Sequence, residues 1–263
     1  MRLFLELTRR SFRRYLTYRG AVVAGLVTNF FFGIFRMAIL VALYGGRESV
    51  AGVDVQGGIT YMVLIQAVIG YLAMFSWFQL MQSVHTGEIA ADLLKPIDIY
   101  AYWLAQDLGR AVVQFLLRGA LIVLLYLPFF DLTFPSGAAQ WAGLSLSLVF
   151  SWLVSFAWRF LVNATAFWSP QALGFIRLAA VVSWFFSGFL MPLRYYPDWV
   201  MRVANFTPFP SMVNTLMDIW VGAIIGREML AALGVQALWI AALVLAGQWA
   251  LRAGVRRLVI LGG

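Results

Sequence analysis

Residues 21–44 read AVVAGLVTNFFFGIFRMAILVALY, a run from Ala21 to Tyr44 in which Arg36 is the one charge. A helix of about 20 apolar residues is long enough to cross a hydrocarbon core of roughly 30 Å. The run therefore reads as a membrane span rather than as a buried soluble helix. Working outward, comparable runs occupy Ile59–Leu80, Ala111–Phe130, Ala139–Val162, Ala172–Leu190 and Leu230–Leu251. The connections between them are too short and too apolar for a soluble domain. These runs predict an all-α integral membrane protein of about six transmembrane helices, one transmembrane domain over residues 1–263.

Composition agrees. Of 263 residues, 63% are hydrophobic and only 11% charged, against roughly a quarter charged in soluble domains. Mean hydropathy is +0.86. With no cysteine, disulfides, thiolate metal sites and thiol nucleophiles are excluded. A single histidine, His85, leaves no imidazole pair. The net charge of +8 lies at the chain ends and beside apolar runs, which suits an anionic membrane surface rather than nucleic acid. The first apolar run is too long for the core of a cleavable signal peptide.

The positive-inside rule orients the chain. With the N-terminus in the cytoplasm, Arg2, Arg9, Arg10, Arg13, Arg14, Arg19, Lys95, Arg110, Arg159, Arg252, Arg256 and Arg257 fall inside. Arg47, Arg194, Arg202 and Arg227 fall outside. Six spans return the C-terminus to the cytoplasm. Residues 1–18 are too charged to span. On a helical wheel Phe4, Leu5, Phe12, Tyr15 and Leu16 oppose Glu6, Arg9, Arg10 and Arg13, as in a helix lying in the cytoplasmic interface. The plainer alternative is a positively charged anchor.

The second cytoplasmic connection, residues 81–106, carries Ser83-Val-His-Thr-Gly-Glu-Ile-Ala-Ala-Asp-Leu-Leu-Lys-Pro96. Thr86 reads as an N-cap and Pro96 as a stop. Ile89 and Leu93 form an apolar ridge at i and i+4, with Glu88 and Asp92 on an adjoining face. Such a helix can dock in a partner's groove; the bland alternative is a connecting loop.

Here the chain resembles a family. Gly87-Glu88-Ile89, then Leu93-Leu94-Lys95-Pro96, looks like the coupling-helix segment of type-2 ATP-binding-cassette permeases, in their bacterial six-span branch. The basic N-terminus, Tyr18-Arg19-Gly20 before the first span, and the ending Gly254-Val255-Arg256-Arg257-Leu258 with Gly262-Gly263 fit in order. So does the stretch from Gly188 through Pro192, Tyr196-Pro197, Trp199 and Thr207-Pro208-Phe209. The resemblance implies an exporter subunit in the bacterial inner membrane that forms the pathway as a dimer, with itself or with a related permease. It also implies separate ATPase subunits that dock on Gly87, Glu88, Ile89, Asp92, Leu93, Leu94, Lys95 and Pro96. This chain has no Gly-x-x-x-x-Gly-Lys-[Ser/Thr] phosphate loop. ATP and magnesium are accordingly expected in the partner ATPase, and no cofactor on this chain.

Arg36, Arg118 and Arg177 fall inside predicted spans, where a charge costs at least about 2.5–3.5 kcal/mol on insertion scales. They mark a polar pathway or subunit contact, or else they snorkel to headgroups; for Arg177, near a span end, snorkelling is preferred. No acid lies in any predicted span to pair with them. Aromatic residues crowd the same spans. With Arg36 and Arg118, the residues Phe35, Phe75, Trp184 and Phe185 make up the candidate substrate path, the competing reading being lipid-facing bulk. Four prolines interrupt residues 191–228, which read as external short helices or as an anchored loop. Two other classes remain as alternatives. A secondary transporter usually carries intramembrane acids and repeats, and a lipid-active membrane enzyme needs a cluster of acids, histidines or a nucleophile; neither pattern is present.

Overall fold

The computed structural model describes residues 2–17, 19–75 and 77–257. Tyr18, Leu258, Gly262 and Gly263, which the sequence comparison used, lie outside them. Among the described residues the chain is all-α but for one small hairpin. Among the described residues four helices are long and apolar enough to cross a membrane: Val22–Tyr44, Ile99–Tyr126, Ala138–Phe167 and Gly226–Val255. Two shorter apolar helices, Val55–Tyr71 and Ala172–Phe186, complete the set. At 1.5 Å per residue these reach only about 25 and 22 Å, and each continues through irregular backbone.

The first helix, α1 (Arg2–Leu16), lies along a later one, α6 (Ile99–Gln114). Its inward face is buried Ser11 with half-buried Phe4, Leu7, Thr8, Phe12 and Tyr15. Leu5, assigned above to the apolar face, points outward with Leu3, because the seam follows the side that α6 covers. The Ser11 hydroxyl donates to the Gln106 carbonyl at 2.6 Å. Gly109 permits this approach, since a Cβ there would meet the backbone of Thr8 and Phe12.

The helix α2 (Arg19–Tyr44) leads through paired Ser49–Val50 and Val53–Asp54 into α3 (Val55–Tyr71), which Asp54 caps by accepting from the Gly57 N–H at 2.8 Å. The predicted second span, Ile59–Leu80, is thus not one helix. It stops at Tyr71, Ala73 takes a left-handed backbone with a φ of 51°, and α4 (Gln79–His85) follows. No proline or glycine causes this break; its carbonyls are drawn off by other helices.

The third predicted span also moves. It begins not at Ala111 but at Ile99, where Asp98 caps α6 by accepting from the Ala101 N–H at 3.0 Å. It runs on through a π-turn at Phe115–Ala120 and α7 (Leu121–Tyr126). This helix contains Asp107, so the expectation that no acid lies in a span is overturned. Arg110 and Arg159, counted above as cytoplasmic charges, are mostly buried partners of that acid.

The α8 helix (Ala138–Asn163) packs against α12 (Gly226–Val255). Within the apolar seam the Gln236 amide donates to Ser151 Oγ at 3.2 Å and to the Ser211 carbonyl at 2.9 Å. Small and polar residues of this kind fix helix pairs where lipid gives no hydrophobic drive. After α9 (Ala172–Phe186) come short helices, α10 (Asp198–Asn205) and α11 (Asn214–Trp220), which cap one end of the bundle.

Candidate functional site

Backbone groups freed by a helix break inside apolar surroundings must find partners, or each costs several kcal/mol. Between α3 and α4 the partners are side chains from three other helices. From α6, Arg110 donates to the carbonyls of Gly70 at 2.5 Å and Tyr71 at 2.9 Å. From α8, Ser155 donates to the Leu72 carbonyl at 2.9 Å and Asn163 to the Trp77 carbonyl at 3.0 Å. From α9, the Trp184 indole donates to the Met74 carbonyl at 2.9 Å.

Asp107 organises this brace. It is 2% exposed and accepts from Arg110 Nε at 2.7 Å, from Arg159 Nη2 at 3.0 Å and from the Trp152 indole at 2.8 Å. Arg159 also donates to the Ser155 carbonyl at 3.1 Å. A buried carboxylate with two guanidiniums is tolerable only when nearly every polar atom is used, and here the surplus donors of Arg110 serve the broken helix. Sequence reading missed Asp107, Arg110, Arg159, Trp152 and Asn163. The available signals were Asp107-x-x-Arg110 and Arg159-x-x-x-Asn163, one helical turn apart in otherwise apolar stretches.

Beside the break is a cavity of about 450 Å³. Phe75, Trp77, Trp158 and Trp184 give it aromatic walls, and Arg159, Asn163 and Arg177 its polar groups. The rings of Phe75 and Trp184 are 5.0 Å apart, edge to face. Arg36 reaches this group indirectly: it donates to the Phe189 carbonyl at 2.9 Å and lies 4.6 Å over the Phe189 ring, which is 5.6 Å from Phe75. The other proposed path residues lie elsewhere. Arg118 sits in the π-turn, 3.3 Å from Gln114 Oε1. Phe35 is exposed on α2, and Phe185 packs on Tyr196.

Below the break, α4 turns at Gly87, whose φ of 78° glycine adopts readily, into α5 (Ile89–Leu93). Thr86 closes α4 instead of capping α5. The predicted ridge is divided: Ile89 is 1% exposed, packed with Trp77, Leu80 and Trp103, while Leu93 and Leu94 face outward, Leu94 at 87%. The acids part likewise. Glu88 is exposed, but Asp92 turns inward to accept from Ser83 Oγ at 3.3 Å and Lys95 Nζ at 2.5 Å. Lys95 also donates to the Tyr102 hydroxyl at 2.9 Å. Partial burial alone would lower the Lys95 ammonium, but the hydrogen bonds to Asp92 and Tyr102 outweigh it and hold the pKa above the ordinary lysine value. Pro96 is exposed beyond α5.

The arrangement is a polar-braced helix break inside an apolar bundle, joined to a short projecting helix. A family profile described as "ABC-2 family transporter protein" matches residues 28–262. This chain belongs to the ABC-2 transporter family. It is therefore a membrane permease of an ABC transport system, and its apolar helices make it a multi-pass membrane protein. A search of curated proteins finds no match to this ABC-2 chain.

Proposed function

We propose that this ABC-2 permease is an exporter half whose α4–α5 segment is the docking element for a separate ATPase. Two permease chains, identical or related, would enclose the path, with both chain ends in the cytoplasm of a bacterial cell. The observation that carries the docking assignment is the division of α5. Ile89 and Asp92 anchor it inward, leaving Glu88, Leu93 and Leu94 presented on a fixed scaffold. Orientation rests on the remaining basic residues of the termini, since Arg110 and Arg159 are internal.

Movement at α5 has a route inward. Asn163 accepts from the Met81 N–H at 3.3 Å and donates to the Trp77 carbonyl, so α4 cannot shift without loading the wall of the cavity. On this reading the cavity is part of the cargo path, and Arg36 acts on it through Phe189. The docking assignment is tested by detergent affinity purification of the chain with its ATPase. Glu88→Lys with Leu94→Glu should release the ATPase while insertion and elution stay normal; undiminished recovery would remove docking from this segment. Asp92→Lys alone should instead lower the yield of folded chain, because its carboxylate holds the loop together.

A further inference from the structure

A second recess adjoins the cavity at the break, sharing Trp158, Val162 and Ala179 with it, and lies away from the α5 face. It is a crevice of about 830 Å³ between α8, α9 and α12. Helix α12 is seated on α8 with Gly247 beside Phe160, and α9 meets α8 through Ala172 and Ile176 near Val162 and Ala166. The two helices flank α8 without closing on each other, and Ala179, Ala250 and Ala253 keep the space between them open. Leu178 and Trp249 remain exposed along its rims. Arg257 lies at the end where α12 finishes. No acidic side chain lines the crevice, and among the described residues no carboxylate pairs with Arg257.

We propose that this crevice holds an acyl chain of an anionic phospholipid, with the lipid phosphate on Arg257. Apolar walls of this volume suit a hydrocarbon ligand, and a guanidinium favours phosphate through paired, charge-assisted hydrogen bonds. The tryptophans Trp168 and Trp249 that border it belong at the level of lipid headgroups. The charge complementarity at one end selects lipid over a second protein chain as the occupant, and the inference does not depend on the cargo or on the docking of an ATPase.

The test uses the full-length chain in nanodiscs of phosphatidylcholine and phosphatidylglycerol with matched acyl chains. It is then moved to mild detergent, and the retained lipid is counted by native mass spectrometry. Phosphatidylglycerol should be retained about fivefold over phosphatidylcholine, the preference that one basic residue near the surface confers. Arg257→Gln should bring the ratio to near parity, and Ala253→Trp should remove both lipids by filling the crevice. Arg14→Gln on α1 should leave retention unchanged. Equal retention of both lipids by the unaltered chain would overturn the proposal. So would an equal loss in Arg14→Gln, which marks general surface attraction, or unchanged retention in an Ala253→Trp protein that elutes as a folded species. Cross-linking of a second chain through positions 178 and 249, with no lipid retained, would assign the crevice to a protein partner and equally overturn it.

Discussion

The break between α3 and α4 and the cap of short helices between α9 and α12 both place irregular backbone against an apolar bundle, and they satisfy it with different chemistry. At the break the donors are the guanidinium of Arg110, tied through Asp107 to that of Arg159, and an indole, with an amide and a hydroxyl from α8. At the cap they are mostly neutral: Tyr61 donates to the Gly188 carbonyl at 3.0 Å and lies 3.1 Å from Asn214 Oδ1. The hydroxyls of Tyr44 and Tyr195 are 2.7 Å apart. One ion pair, Arg194 with Asp218 at 3.2 Å, lies among them, and Asp218 Oδ1 is buried with no hydrogen-bond partner among the described residues. A neutral network loses one bond at a time, whereas a buried ion cluster loses its balance when any member goes. The break should therefore tolerate loss of a partner less well than the cap.

That contrast fails most visibly at Asp107. Asp107→Leu leaves Arg110 and Arg159 charged and unpaired in the interior, a loss of about 3–5 kcal/mol. The variant should give little folded chain by fluorescence-detected size exclusion, and normal yield with an unchanged melting midpoint would mean the brace tolerates that loss. A smaller loss follows from Trp152→Phe, which deletes one hydrogen bond to the carboxylate and keeps the ring. A bond to a charged group contributes about 1.5–3 kcal/mol, so the melting midpoint should fall clearly while the chain still folds.

How far the sequence revealed these two regions differs for the same reason. The apolar runs announced six apolar helices, four of them long enough to cross a membrane, and the prolines of residues 191–228 announced an interrupted cap, because both signals are local. The break at Leu72–Phe78 has no proline or glycine within it, so periodicity carried it as continuous helix. Its cause lies in α6, α8 and α9. Asp107 lowered the hydropathy of α6 and shifted the predicted span start to Ala111, hiding the acid that pairs the arginines. The α4–α5 segment was marked out by its spacing and its family resemblance, but which acid faces outward depended on Ser83 and Lys95 folding over Asp92.

At the cap, Tyr61→Phe removes one neutral donor. Asn214 Oδ1 still accepts from the Leu193 N–H at 3.1 Å, so the cost should be about 1 kcal/mol, within the ordinary range for a single hydrogen bond. A loss as large as that of Asp107→Leu would erase the distinction between the two regions.

The finest difference is in pH response. Burial raises the Asp218 carboxyl above its ordinary value, against the opposing pull of Arg194 and Asn214. A carboxyl whose pKa is higher folded than unfolded binds its proton first in the folded state. Through this group, acid stabilises the fold, and the contribution is lost as pH rises from the ordinary aspartate value through the raised one. Protonation also weakens the bridge to Arg194, so acid favours a folded cap that is locally looser. Asp218→Asn cannot titrate. The melting midpoint of the unaltered chain, measured relative to Asp218→Asn, should therefore decline as pH is raised through the window just above the ordinary aspartate value, then level off. A difference that instead grew with rising pH would mean the ion pair with Arg194 outweighs burial, and the cap would then resemble the charged brace at the break.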